Sequence, residues 1–134
     1  MRFMIIVKST ADTEAGILPG EPLFAAMAAY HQELARAGVL LDANGLRPTR
    51  DGWRIRYREG HRSITDGPFA ETKELIAGYT LIQVRSREEA MEWSRRFPAP
   101  HGALQDGAIE VRRLYEPDEL PAGIPEARER LRAL

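Results

Sequence analysis

Cysteine is absent from all 134 residues. That absence excludes a disulfide framework, a thiolate metal site and a cysteine nucleophile. Net charge is nearly absent as well. Nineteen Lys and Arg stand against twenty Asp and Glu, a formal charge of −1, without the basic excess that a general nucleic-acid binder carries. The apolar run at the N-terminus, in MRFMIIVKST, breaks at Lys8. It is too short for the apolar core of a signal peptide or for a membrane span. The expectation is a cytoplasmic protein with no membrane contact and no direct nucleic-acid contact. No glycine-rich phosphate loop and no nucleophile elbow occur. His61 and His101 stand at no metal-ligand spacing from His31 or from an acid, so neither a metal nor another cofactor is expected.

What remains suits one folded domain. The length supports a single hydrophobic core but not two, and 43% apolar with 29% charged residues is the balance of a globular chain. Phe3 to Val7 reads as a strand that is apolar on both faces, Phe3, Ile5 and Val7 on one and Met4 and Ile6 on the other. Such a strand needs two covering layers. Ala11 to Pro22 reads as loop. A helix follows from Leu23, with Leu23, Met27, Tyr30 and Leu34 in one stripe and Gly38 as its stop. Val39 to Leu46 reads as the second strand.

Asp51-Gly52 is a favoured turn pair. After it Trp53, Ile55 and Tyr57 alternate with Arg54, Arg56 and Arg58, giving a ribbon with one apolar and one basic face. Glu59-Gly60 turns the chain back into His61 to Thr65, and Asp66-Gly67-Pro68 makes a further turn. Ile76 to Val84 is the next strand. A helix opened by Ser86 and Glu89 at capping-box spacing runs to Pro98, and Ala108 to Tyr115 is the last strand. These elements predict a domain over residues 1–116. Residues 117–134 form a proline-bearing tail with a short helical segment, too short to be stable alone.

Without the hairpin the order is βαββαβ. The predicted fold is therefore α+β: a ferredoxin-like arrangement with a β-hairpin insertion, its antiparallel sheet carrying two helices on one face. The first strand's second apolar face then needs a cover. A second copy of the chain supplies one, sheet on sheet, as a homodimer forming an α+β barrel. The alternative is a monomer whose C-terminal segment covers the open face.

The stretch Thr65-Asp66-Gly67-Pro68-Phe69-Ala70-Glu71-Thr72-Lys73-Glu74, followed by Gly78-Tyr79, resembles the signature of the DGPF branch of the YCII-related family. The strand MRFMIIV, the Tyr30-His31 helix ending in Ala37-Gly38-Val39-Leu40, and the strand Ile109-Glu110-Val111-Arg112 extend the resemblance over residues 1–116. It implies a dimeric α+β barrel. It also implies, for the enzyme-like relatives, a His-Asp pair in a cleft beside the sheet, and for DGPF domains a link with extracytoplasmic-function sigma factors. The relatives' histidine lies near the start of the first helix. That position here is Met27, and the histidine is His31, one turn later.

His31 falls roughly 60–80° from the centre of the helix stripe, counting about 100° per residue, a boundary position that reaches either a cleft or water. Imidazole suits proton transfer near neutral pH, although a histidine at a helix margin also serves as a satisfied structural residue. Asp66 opens the Asp-Gly-Pro turn. It either accepts a backbone N–H there, with Phe69 the nearest donor, or orients a histidine. Lys73 is an anion anchor or a solvated surface charge. Tyr79 presents its hydroxyl to a pocket or is a core tyrosine. Arg56, with Arg54 and Arg58, offers a phosphate or acidic-partner site, or a solvated face that discourages edge pairing. Two readings compete. One is a cofactor-free enzyme or binder of a small polar or anionic molecule, with His31 and Asp66 in proton transfer and Lys73, Tyr79 and Arg56 contacting the ligand. The other is a regulatory module that engages a protein such as a sigma factor through the arginine-rich hairpin and the C-terminal tail.

Overall fold

The computed structural model describes residues 1–121 and 125–134. Along them run β1 (Arg2–Lys8), α1 (Ala11–Glu14), α2 (Glu21–Arg36), β2 (Leu40–Gly45), β3 (Trp53–Arg58), β4 (His61–Asp66), β5 (Ile76–Gln83), α3 (Arg87–Arg95), β6 (Ile109–Arg113) and α4 (Pro125–Arg132). The fold is α+β. Strands β2-β5-β1-β6 form an antiparallel sheet in that order, and β3-β4 form a separate two-stranded ribbon. Both sheets are open, and among the described residues a single chain contains no closed barrel.

Alternation along β1 and β5 sets the layers. Directly opposed residues of an antiparallel pair share a face. Phe3 faces Ile82 and Ile5 faces Thr80, and these four are buried with Tyr30 and Leu34 of α2 and Ala90 of α3. Ile5, Leu34 and Ile82 are fully enclosed, each stabilising the fold by roughly 1.5–3 kcal/mol relative to exposure. Met4 opposite Leu81 and Ile6 opposite Tyr79 point to the other face, where they stay only half-buried.

The helix ends follow from local chemistry. Pro22 sits in the first turn of α2, where its missing N–H forfeits no intrahelical bond, so the helix starts before Leu23. At its other end Gly38 adopts φ +74°. This left-handed residue lets the Gly38 and Val39 N–H groups reach the Ala35 and Leu34 carbonyls. Ser86 caps α3 by accepting the Glu89 N–H at 3.1 Å. Glu89 answers one residue early, accepting from the Arg85 N–H at 2.9 Å.

Two expectations change. The segment 11–22 is not all loop: Thr10 and Thr13 cap each other's backbone N–H groups, which suffices to wind the single turn of α1. Asp51-Gly52 does not join paired strands, because β2 pairs with β5 and not with β3. Thr49–Asp51 is a 3-10 turn instead. The tight hairpin turn is Glu59-Gly60, both with positive φ (50° and 79°), as a two-residue hairpin loop requires.

The ribbon's apolar side, Trp53, Ile55, Tyr57 and Ile64, stands exposed. In the tail, residues 122–124 lie outside the described residues. Arg2 pairs with Glu116 at 3.1 Å, and Arg132 of α4 pairs with Asp118 and Glu129. The Arg2 hydrogen bond holds the Glu116 carboxyl below its usual pKa.

Tyr30 is a polar group of the helix–sheet core. Its hydroxyl donates to the Trp93 carbonyl at 2.7 Å, and its ring meets those of Phe97 and Trp93 edge-on. Burial is the main reason its pKa rises from 10.0 to about 12; Arg96 works against the rise and Glu33 adds to it. The unfolded chain therefore loses this proton first. The contribution is constant below pH 10 and is lost as pH climbs from 10 to about 12. Denaturant titrations across that interval should show wild-type stability falling more steeply than that of Tyr30→Phe. At neutral pH the variant should be less stable by about 1 kcal/mol, for the lost hydrogen bond.

Candidate functional site

His31 leaves α2 toward β5 and is half-buried. Its Nδ1 lies 2.7 Å from the Met27 carbonyl oxygen, one helical turn back. A carbonyl only accepts, so Nδ1 carries the proton and donates. Nε2 lies 2.8 Å from the hydroxyl of Thr80, which is buried on β5. In the neutral ring Nε2 accepts from that hydroxyl; in the charged ring it donates to it. The rings of Tyr30 and Phe97 stand edge-on to the imidazole at 5.4 and 6.2 Å. Every polar atom of this histidine is thus satisfied, with its base nitrogen held on an alcohol.

Asp66 lies elsewhere. It ends β4 opposite Trp53, is exposed, and its carboxylate makes no hydrogen bond or ion pair among the described residues. His31 and Asp66 share no hydrogen bond: Thr80 holds the histidine's Nε2. Nor does Asp66 receive the Phe69 N–H. That group donates to Thr49 Oγ1 at 3.0 Å, and Thr49 in turn donates its N–H and hydroxyl to Glu14 of α1, at 3.0 and 2.6 Å. The Asp-Gly-Pro-Phe turn is thereby tied to the 3-10 turn and to α1. Gly67 packs so closely that a Cβ there would overlap the Thr49 carbonyl.

This junction shapes an open cleft of about 590 Å³ at the base of the hairpin. Leu75, Phe69 and Pro48 are partly or fully buried in its lining, and Leu46, Trp53 and Ile76 stand more exposed around it. Four charged groups line it: Arg47, Asp51, Arg54 and Glu74. Arg47 Nε donates to Asp51 Oδ2 at 2.9 Å, which lowers the Asp51 pKa. The Arg54 guanidinium lies 3.8 Å above the Phe69 ring, an attraction between a cation and an aromatic face.

None of His31, Asp66, Lys73, Tyr79 and Arg56 lines that cleft. Lys73 is exposed in the 3-10 turn Thr72–Glu74. Arg56 is exposed on β3 opposite Ser63. Tyr79 lies on the open sheet face, donating to Asp42 Oδ2 at 2.8 Å and accepting from Asn44 at 3.0 Å. His101 Nε2 donates to the Lys8 carbonyl at 2.9 Å.

Sequence reasoning did not single out Thr80, Thr49 or the stacking of Arg54 on Phe69. For Thr80 a signal exists: it is the polar residue among Gly78 and Ile82 on the inward side of β5. Thr49 meets its partners across 20 to 35 residues of chain, and no local pattern announces that. Among the described residues no cluster of His, Asp or Glu is placed to hold a metal ion. None of their helices is long and apolar enough to cross a membrane.

The arrangement defines a small α+β domain with a satisfied histidine inside its helix–sheet layer and a separate cleft at the hairpin base. Residues 1–117 match the YCII-related domain family. An uncharacterized protein of Rhizobium meliloti (strain 1021) is 36% identical over 98 residues, covering 72% of this chain and 77% of that protein. The chain belongs to the YCII-related family.

Two substitutions check this geometry. Thr80→Val keeps shape but removes the hydroxyl facing Nε2, and should lower stability by about 1–3 kcal/mol, while 15N spectra of His31 retain the Nδ1–H tautomer. Gly67→Ala forces the turn away from Thr49. It should destabilise by on the order of 1–3 kcal/mol or more and shift the amide resonances of Thr49 and Phe69 in NMR spectra.

Proposed function

We propose that this YCII-related chain is a homodimeric, cofactor-free protein that binds a small polar or anionic molecule in the cleft at the hairpin base. The cleft carries the reading: its volume of about 590 Å³ falls within the roughly 300–1,000 Å³ typical of small-molecule sites, and charged groups converge on an apolar lining. The strand order β2-β5-β1-β6 with α2 and α3 on one face supports a ferredoxin-like arrangement with the β3-β4 hairpin inserted. The stretch Thr65 to Glu74 supports a place in the DGPF branch.

The open sheet face supports the dimer. Met4, Ile6, Leu81 and Tyr79 remain half-buried there, and a second sheet stacked on them forms a dimeric α+β barrel. A catalytic version of the same reading uses His31 as the proton-transfer group, with Thr80 in the partner position and Asp66 on the hairpin outside the pair. The regulatory reading, with a sigma factor as partner, has one observation in its favour: Trp53, Ile55, Tyr57 and Ile64 form an exposed apolar strip.

Sedimentation equilibrium tests the assembly. The wild type should sediment as a dimer and Leu81→Glu as a folded monomer, because a charge buried between two apolar sheets costs several kcal/mol. A monomeric wild type ends the dimer reading. Amide-shift mapping with a panel of small anions, cations and neutral polar compounds tests the cleft; shifts grouped at Thr49–Arg54 and Phe69–Ile76 are the expected result.

A further inference from the structure

The cleft's charges are unequal in what they leave free. Arg47 and Asp51 neutralise each other. Arg54 and Glu74 line the same cleft, and neither side chain has a hydrogen-bond or ion-pair partner among the described residues. Arg54 is half-buried and stacked flat on Phe69. A stacked guanidinium keeps its N–H edge in plane and available, and that fork fits a carboxylate bidentately. Phe69 is itself pinned through Thr49 to Glu14, so the guanidinium rests on an anchored platform.

Beside this donor the cleft offers apolar surface: Leu46, Leu75 and Ile76 lie in the same lining. Charge limits the anion. One unpaired guanidinium and one unpaired carboxylate, Glu74, line the cleft beside the Arg47–Asp51 pair. Arg54 can neutralise a singly charged carboxylate on an apolar body; a doubly charged phosphate would keep a charge uncompensated beside Glu74.

Resting on the reading that the cleft binds a small molecule, we infer that its ligand is an apolar monocarboxylate, with the carboxylate on Arg54 and the apolar body on Leu46 and Ile76. Phosphate esters are discriminated against by their second charge beside Glu74.

The test is a titration of the full chain with indole-3-acetate, and separately with inorganic phosphate, followed by 15N–1H spectra. Indole-3-acetate should give saturable shifts at the amides of Arg54 and of 69–76, while phosphate gives none at matched concentration. Arg54→Ala should weaken binding at least tenfold. Arg54→Lys, which keeps charge and loses the fork, should weaken it less, and its hairpin amide pattern should show that the fold persists. Glu74→Gln should leave indole-3-acetate binding intact and admit phosphate. Equal binding by wild type and Arg54→Ala, or phosphate binding as tight as the carboxylate, would overturn the inference. If neutral or cationic compounds shift the cleft amides and indole-3-acetate does not, the inference fails and the small-molecule reading stands. If no probe shifts them, both fail.

Discussion

Strands β1 and β5 carry apolar side chains on both faces, and a single chain has helices for only one. Everything else in the molecule is arranged around that constraint. Phe3, Ile5 and Ile82 close against Tyr30, Leu34 and Ala90, which spends both long helices. Met4, Ile6 and Leu81 on the far side are left to the sheet's own neighbours. Apolar area of this kind draws its stabilisation from leaving water, so the open face is the natural seat of the proposed second copy. Tyr79, Asp42 and Asn44 form a hydrogen-bonded group on the same face. The tyrosine hydroxyl, the Asn44 amide nitrogen and the Asp42 carboxylate engage one another there, which lowers the cost of covering that face.

Inside the helix–sheet layer the same economy governs the polar groups. Tyr30 and His31 are adjacent in sequence, and each finds a different acceptor: the hydroxyl goes to Trp93, and the imidazole Nδ1–H goes to Met27. Thr80 completes the histidine from the strand side. Among the described residues no buried side-chain nitrogen or oxygen lacks a partner, so the layer carries polar groups without the desolvation penalty of unmet ones. A histidine held this way keeps one ring nitrogen on a hydroxyl and one on the backbone. It is a rigid base nitrogen, placed by its structural contacts.

The Asp-Gly-Pro-Phe turn has a different task. Gly67 is required by the backbone of Thr49, with no room for a side chain, and Phe69 hangs from the Thr49 hydroxyl. Glu14 holds Thr49, so a one-turn helix near the N-terminus and a turn more than fifty residues later fix each other. What they fix is the base of the hairpin, and with it the cleft that Arg54 and Trp53 line. The motif thus shapes the cleft, while its most reactive-looking residue, Asp66, stays outside the lining.

Much of the fold was legible in the residues. Period-two alternation in Phe3–Val7 and Trp53–Arg58, the stripe of α2, Ser86 at a helix start and Glu59-Gly60 at a hairpin tip are local signals, and local sterics and capping decide them wherever the chain goes. The match of residues 1–117 to the YCII-related family agrees with a resemblance carried by Phe3–Val7, by α2 and by the stretch Thr65 to Glu74. The site was less legible. His31 could be found as a helix-margin histidine, but its partner could not, because Thr80 lies 49 residues away and reaches it only once α2 lies across β5. Asp66 looked like that partner because both residues were chemically apt, and chemical aptness carries no distance. By itself, then, the sequence determined the strands, the two long helices and their apolar faces. Only the tertiary structure decided which polar groups meet, since those pairings depend on the register of β5 against β1 and on where the hairpin folds away from the sheet.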